Sequence, residues 1–178
     1  MRDVSKLEKW DIYNQDRIKD NLVISEKTKL KPGQFRLIVH VCIFNLKNEM
    51  LIQKRSKNKT LYPNLWDVSV SGSVLAGEDT RMAGERETFE ELGYNLSLEN
   101  ERVSMTFNFD EGFDDFFLVK RDFDIKNLNL DKNEVTDVMW ASEKEILSML
   151  TKNTFLPYHK SFINLLFFNK DNMKIHTR

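Results

Sequence analysis

Acidic side chains give this sequence its first chemical signal. In the stretch GSVLAGEDTRMAGERETFEELGY, residues 72–94, the glutamates Glu87, Glu90 and Glu91 recur at short helical spacings. At about 100° per residue they fall within roughly a 100° sector of one helix face, while Met82, Phe89 and Leu92 share a different sector. One face is expected to pack and the other to collect negative charge. Like charges three and four residues apart cost a helix about 0.2–0.5 kcal/mol per pair, so stability alone does not favour the cluster. A bound cation reverses that sign. Carboxylate oxygens are hard ligands suited to Mg²⁺ or Mn²⁺, and a site with few carboxylates and several retained waters is the habit of Mg²⁺ when a substrate phosphate completes the shell. Ala83 and Gly84 lie towards the carboxylate side, where small side chains are expected to leave room for metal and ligand. A mid-helix glycine costs about 1 kcal/mol relative to alanine. Arg86, just before the first of the three glutamates, can fork onto a neighbouring carboxylate and fix its rotamer.

The wider spacing is more specific. Gly72, Glu78, the pair Arg86–Glu87, the pair Glu90–Glu91 and Gly93 stand in the order and at the intervals of the Nudix box. The segment therefore resembles the signature of the Nudix hydrolases, with Thr88 in place of an aliphatic residue and Tyr94 closing the box. The resemblance runs over about residues 35–150. It implies an α+β fold, an α/β/α sandwich with a mixed β-sheet, and hydrolysis of a diphosphate joined to another moiety, with Mg²⁺ as cofactor and Mn²⁺ able to substitute. It also implies roles: Glu87, Glu90 and Glu91 as metal ligands together with the Gly72 carbonyl, Glu78 as support for the loop and helix start, and Arg86 as the orienting cation. For the general base it points to Glu91 first, with Glu111, Asp114 and Asp115 of a later acidic loop as the other candidates.

The run QKRSKNKTLYPNLWDVSVSG, residues 53–72, is similar to the branch of the superfamily that contains the type I isopentenyl-diphosphate isomerases. That isomerase places a catalytic Cys just before the box glycine and a metal-binding His just after it, where this chain has Ser71 and Ser73. A hydrolase with an isomerase-like shape follows. Lys54 and Arg55 are placed to clamp substrate phosphates, while Lys57 and Lys59 read as a solvated loop. Tyr62 and Trp66 read as packing residues rather than a base-stacking pair, and His40 and Cys42 as core.

These residues need elements to position them. Residues 35–44, FRLIVHVCIF, have the composition of a strand buried on both faces, with residues 50–53 as its hairpin partner across a turn at 45–49. Residues 66–70 form the next strand, broken by Gly72, and residues 79–92 a helix. Residues 103–109 alternate as a strand with one buried face, paired with 116–119 across the acidic turn 110–115. Residues 135–140 are a further strand. Ser142 and Glu145 spell a capping box for a helix carrying Ile146, Leu147, Met149 and Leu150, and a last helix follows Pro157. The first thirty residues favour no element.

Length and composition set the outer limits. The chain of 178 residues suits a single domain, 1–178, with a core at about 35–150, an N-terminal extension and a C-terminal helix. Its 27 basic and 28 acidic residues leave no field to gather bulk nucleic acid or an anionic membrane, and the partner that the resemblance implies is a small-molecule diphosphate substrate. There is no apolar run of membrane-spanning length, and residues 1–10 are too charged for a signal peptide, which points to the cytoplasm. One cysteine, Cys42, permits no internal disulfide. Phe155, Tyr158, Phe162, Ile163, Leu165, Leu166, Phe167 and Phe168 make the last helix apolar enough to be buried all round, either by the segment around Trp10, Ile12 and Tyr13 or by a second copy in a homodimer.

Overall fold

The computed structural model describes residues 7–171, so the first six residues of the charged N-terminus lie outside it. The first thirty residues, which favoured no element, supply a hairpin of β1 (Lys9–Tyr13) and β2 (Lys19–Ser25). The apolar run becomes β3 (Arg36–Phe44), the centre of a seven-stranded mixed sheet. Leu37, Val39, Val41 and Ile43 enter one core, while Cys42 and Phe44 enter the other, as a strand buried on both faces requires.

The expected hairpin with residues 50–53 is a hairpin only at its turn. β3 and β4 (Met50–Arg55) share the single pair Phe44↔Met50 and then splay. β3 turns to β6 (Val70–Ser73), and β4 turns to β5 (Trp66–Asp67) and β9 (Val135–Ala141). A serine explains the wedge. Ser69, fully buried between β5 and β6, donates its hydroxyl to the Leu51 carbonyl at 2.6 Å and accepts the Ile43 N–H at 2.8 Å, so its Oγ replaces ladder bonds that the two strands no longer exchange. The strand expected at 66–70 is thereby divided in two, and Gly72 lies inside β6 instead of at a break.

On its other side β3 pairs in parallel with β8 (Gly112–Lys120), from Arg36↔Gly112 to Phe44↔Lys120. β8 is longer than the expected 116–119 and takes Asp114 and Asp115 out of the turn. β7 (Met105–Phe109) closes that edge and is largely exposed, without the buried face its alternation suggested, because a single neighbour covers it.

Helix α1 (Thr80–Leu92) starts at Asp79, whose side chain accepts the Met82 N–H at 2.8 Å, and ends at Gly93 in the left-handed region. Of the three residues expected on its packing face only Leu92 is buried. Met82 and Phe89 are 52% and 54% exposed, whereas Ala83, Gly84, Glu87, Thr88, Glu91 and Leu92 are buried. A Cβ at Gly84 would stand 2.9 Å from Leu98 Cδ1 and 3.2 Å from Val41 Cγ2, so the small residues seat the helix on β3 and do not open space for a ligand. Thr88, fully buried, returns its hydroxyl to the Gly84 carbonyl at 2.6 Å.

The opposite face carries α2 (Glu143–Thr151), with the capping box of Ser142 and Glu145 formed, and α3 (Lys160–Asn169). Ile146, Ile163, Leu166 and Phe167 fill a second core with Cys42, Phe44, Ile52 and Phe116. α3 is covered by α2 and the sheet of its own chain and not by the N-terminal segment, since Tyr13 packs into the α1-side core. Nor is it buried all round: Leu165 and Phe168 are 37% and 48% exposed. The result is an α+β fold with helices on both faces of a mixed sheet.

Candidate active site

Seating α1 by its polar side brings the box together. Glu87 is 2% exposed and lies against Gly72 of β6. A Cβ added at Gly72 would stand 2.2 Å from Glu87 Cδ and 2.3 Å from Oε1, so only glycine lets this carboxylate reach the strand.

Arg86 organises the rest. Its Nε donates to Glu78 Oε1 at 2.7 Å, and its Nη2 to Glu78 Oε2 and the Ser73 carbonyl, both at 2.9 Å. Its Nη1 donates to Glu87 Oε1 at 2.7 Å and Glu90 Oε2 at 3.1 Å. Burial alone would lower the basicity of this guanidinium, but the hydrogen bonds and charges of Glu78 and Glu87 outweigh it and hold Arg86 above its ordinary range. Glu78 also accepts the Leu75 N–H at 3.0 Å, tying the loop before α1 to the same cation.

Glu91 is 4% exposed and turns the other way, accepting from Gln53 Nε2 at 3.0 Å. Burial, then the neighbouring Glu87 charge, push its carboxyl up to about 8; Lys59 and the Gln53 hydrogen bond oppose the rise, and Glu134 adds to it. Among the described residues no three acidic or imidazole groups stand as a ready coordination sphere, because Arg86 spans Glu87 and Glu90 while Gln53 holds Glu91. The donor chemistry nevertheless fits a hard divalent cation. The charge of Glu87 raises the proton affinity of the buried Glu91, a repulsion that such a cation relieves.

Two of the three later-loop acids have partners outside this centre. Asp115 is fully buried in β8 and accepts from Arg17 Nη1 at 2.9 Å and Thr106 Oγ1 at 2.6 Å, while Asp114 lies 3.2 Å from His40 Nε2. Glu111 alone remains in the turn. Beyond Glu87, the acid whose charge is felt by Glu91 is Glu134, at the entry to β9 and paired with Lys59. Lys59 is thus drawn into an ion pair and is not simply solvated. Gln53 had a signal in the sequence, since it shares the buried phase of β4 with Leu51; Glu134 had none, because only the pairing of β4 with β9 brings it near.

The two candidate phosphate clamps behave differently. Lys54 sits on β4 opposite Trp66 and Asp137. Arg55 is turned inward, donating to Asp67 Oδ2 and to the Leu61 carbonyl, both at 3.1 Å, so its fork is committed to the loop 56–65. Asp67 also accepts the Tyr158 hydroxyl at 3.1 Å, and Trp66 packs against the second core, whereas Tyr62 is exposed. His40 stacks on Phe116 at 4.2 Å with its Nδ1 buried and unpartnered, a core histidine only half satisfied. Cys42 is buried, which pushes its thiol up. Ser71 pairs with His40 across the β3–β6 ladder, and Ser73 Oγ accepts from Arg36 Nη1 at 3.2 Å. A guanidinium, not a metal-binding imidazole, therefore attends position 73.

Comparison with known proteins identifies the family and the fold. The NUDIX domain family matches residues 34–166. An uncharacterized Nudix hydrolase of Listeria innocua is 41% identical over 170 residues, spanning 96% of this chain and 99% of its own. An isopentenyl-diphosphate Delta-isomerase of Streptomyces avermitilis is 28% identical over 131 residues, covering 70% of this chain and 66% of its own. In three dimensions, a Deinococcus radiodurans crystal structure superposes with a TM-score of 0.66 over 89% of this chain and 97% of its own, at 22% identity, a likeness of fold.

Proposed function

This chain belongs to the Nudix hydrolase family, and on that premise we propose that it is a Mg²⁺-dependent enzyme, with Mn²⁺ able to substitute, that hydrolyses the diphosphate linkage of a nucleoside diphosphate joined to another moiety. The observation that carries the reading is the fit of Glu87 against Gly72 beneath a guanidinium that also grips Glu78 and Glu90.

Glu87, Glu90 and Glu91, with the Gly72 carbonyl, are the groups that would hold the cation. Bound there, it would neutralise phosphate charge and acidify a water. The protein's own residues do the rest. Arg86 fixes the rotamers of Glu87 and Glu90 before anything binds, and Glu78 keeps Arg86 from swinging away. Glu91, aligned by Gln53, can accept a proton from the attacking water at a carboxylate oxygen, and Glu134 is the second acid within its electrostatic reach. Lys54 can meet a phosphate directly, whereas Arg55 would first have to release Asp67.

The same reading takes residues 1–178 as one cytoplasmic domain; no helix among the described residues is long and apolar enough to cross a membrane. It includes a homodimer, for which Leu165 and Phe168 on α3 supply exposed apolar surface. A mass that stays at 21.1 kDa in light scattering as the concentration rises refutes the dimer.

A screen of nucleotide sugars, dinucleotide cofactors, coenzyme A, ADP-ribose and nucleoside triphosphates with Mg²⁺, read by phosphate-bearing products, tests the substrate class. Turnover is expected for at least one compound in which a diphosphate joins a nucleoside to a second group. Turnover confined to nucleoside triphosphates would overturn that class, and saturable binding of the whole panel without turnover would make the chain a nucleotide-binding module. Isopentenyl diphosphate should remain unconverted by NMR, since Ser71 and Ser73 supply neither thiol nor imidazole.

A further inference from the structure

The N-terminal hairpin is a two-stranded sheet of its own, joined to the larger one at the bridge between Tyr13 and Phe35. β1 is bound to β3 by the reciprocal bonds of Tyr13 and Phe35, at 2.8 Å and 2.9 Å, and anchored by the fully buried Ile12. It also reaches the loop before α1 at two points. The Lys9 carbonyl accepts the Ala76 N–H at 2.8 Å, and Asp11 Oδ2 accepts the Gly77 N–H at 2.7 Å. Asp11 is itself buried, with Lys19 Nζ on the same oxygen at 2.5 Å.

Gly77 has φ of +89°, a conformation that leaves its N–H fixed only if something holds it. The next residue is Glu78, which closes its own turn through the Leu75 N–H and grips Arg86 with both oxygens. A connected path thus runs from Asp11 by a hydrogen bond to Gly77, by the backbone to Glu78, and by hydrogen bonds to Arg86 and from there to Glu87 and Glu90. A buried carboxylate on a peripheral hairpin has no need of this partner for the hairpin's own ladder, which is complete from Lys9↔Ser25 to Asp11↔Val23.

We propose that Asp11 is a positioning residue for the carboxylate site of α1: it clamps the Gly77 amide so that Glu78, and through it Arg86, holds Glu87 and Glu90 in the geometry that receives a cation. The proposal rests on the metal-binding reading given above. Partners that orient metal ligands from outside typically change metal affinity by about 10–100-fold, and a residue acting through two intermediates belongs at the lower end.

Hydrogen exchange in EDTA and Mn²⁺ calorimetry on the full chain test it together. Asp11→Ala should raise amide exchange about tenfold in residues 75–78 and also in 86–91, and weaken Mn²⁺ about tenfold. Asp11→Asn keeps an acceptor oxygen and should stay within about threefold of the parent in both readouts. Asp11→Ser, which is too short to reach Gly77, takes the place of the alanine variant if that one does not fold. Arg17→Ala, which frees the hairpin's salt bridge to Asp115, should lower Tm yet leave both Mn²⁺ affinity and exchange in 86–91 at parental values. Loosening of 75–78 alone in Asp11→Ala, with 86–91 and Mn²⁺ affinity unchanged, overturns the proposal. Failure of the parent to bind Mn²⁺ would defeat the ligand assignment instead, and the exchange arm would still decide whether Asp11 is coupled to α1.

Discussion

Helices α1 and α3 lie on opposite faces of one sheet and obey opposite rules. α3 buries Ile163, Leu166 and Phe167, as an amphipathic helix should. α1 buries Glu87 and Glu91 together with a glycine, an alanine, two threonines and a single leucine, Leu92, and leaves Met82 and Phe89 in solvent. Burying carboxylates costs free energy that burying leucines would return. α1 thus turns its polar side to the sheet, and the apolar packing on that face comes mainly from the strands and from Leu92, Leu96 and Leu98.

Substitutions that treat the two helices alike should therefore separate them. The largest effect is expected from Glu90→Gln with Glu91→Gln, which should reduce turnover by about a thousandfold or more and abolish Mn²⁺ binding in the presence of a diphosphate, while Tm stays equal to the parent's or rises. Parental Mn²⁺ affinity in calorimetry would break the assignment. Leu166→Ala on α3 should do the reverse, costing about 2–5 kcal/mol in urea unfolding while the folded fraction keeps its kcat/KM.

An intermediate effect comes from pH. The Glu91 carboxyl, pushed up to about 8 by burial, binds its proton more tightly folded than unfolded. Its stabilisation is therefore full below the ordinary carboxylate range and is lost as pH climbs towards 8. In EDTA, the parent should lose on the order of 2 kcal/mol between pH 5 and pH 8 relative to Glu91→Gln; parallel Tm-versus-pH curves would contradict this. The smallest effect belongs to the apolar residues on the wrong side of α1. Met82→Gln and Phe89→Gln should each change stability by no more than about 0.5 kcal/mol.

The same contrast explains what could be read from the chain. The ends of α1, the capping box of α2 and the box residues are local patterns, and they appear where the sequence puts them. The facing of α1 was hidden because hydrophobic periodicity assumes that a helix turns its apolar side to the sheet, and Met82 and Phe89 break that assumption. The splay of β3 from β4 depends on one serine hydroxyl, Ser69, which carries no signal at the level of composition. Glu134 and Asp11 reach the site through strand pairings and a hairpin dock that join distant parts of the chain. Asp114 and Asp115 looked like turn residues because acidic clusters usually are, yet the parallel partner of β8 draws them into a strand.

That parallel partnership also sets an order of events in time. β3 and β8 are joined along nine consecutive pairs across an interval that contains β4, β5, β6, α1 and β7. A pairing of such sequence separation closes slowly, because the loop entropy is spent before most of its contacts form. α1 can coil early from its own capping signals, but Val39 and Val41, the floor on which Gly84 rests, pair with β6 on one side and gain their second partner only when β8 arrives. The final seating of the site's carboxylates is therefore expected to wait for that closure. A cation added during refolding should leave the rate of that closure unchanged and slow only the return to the unfolded state.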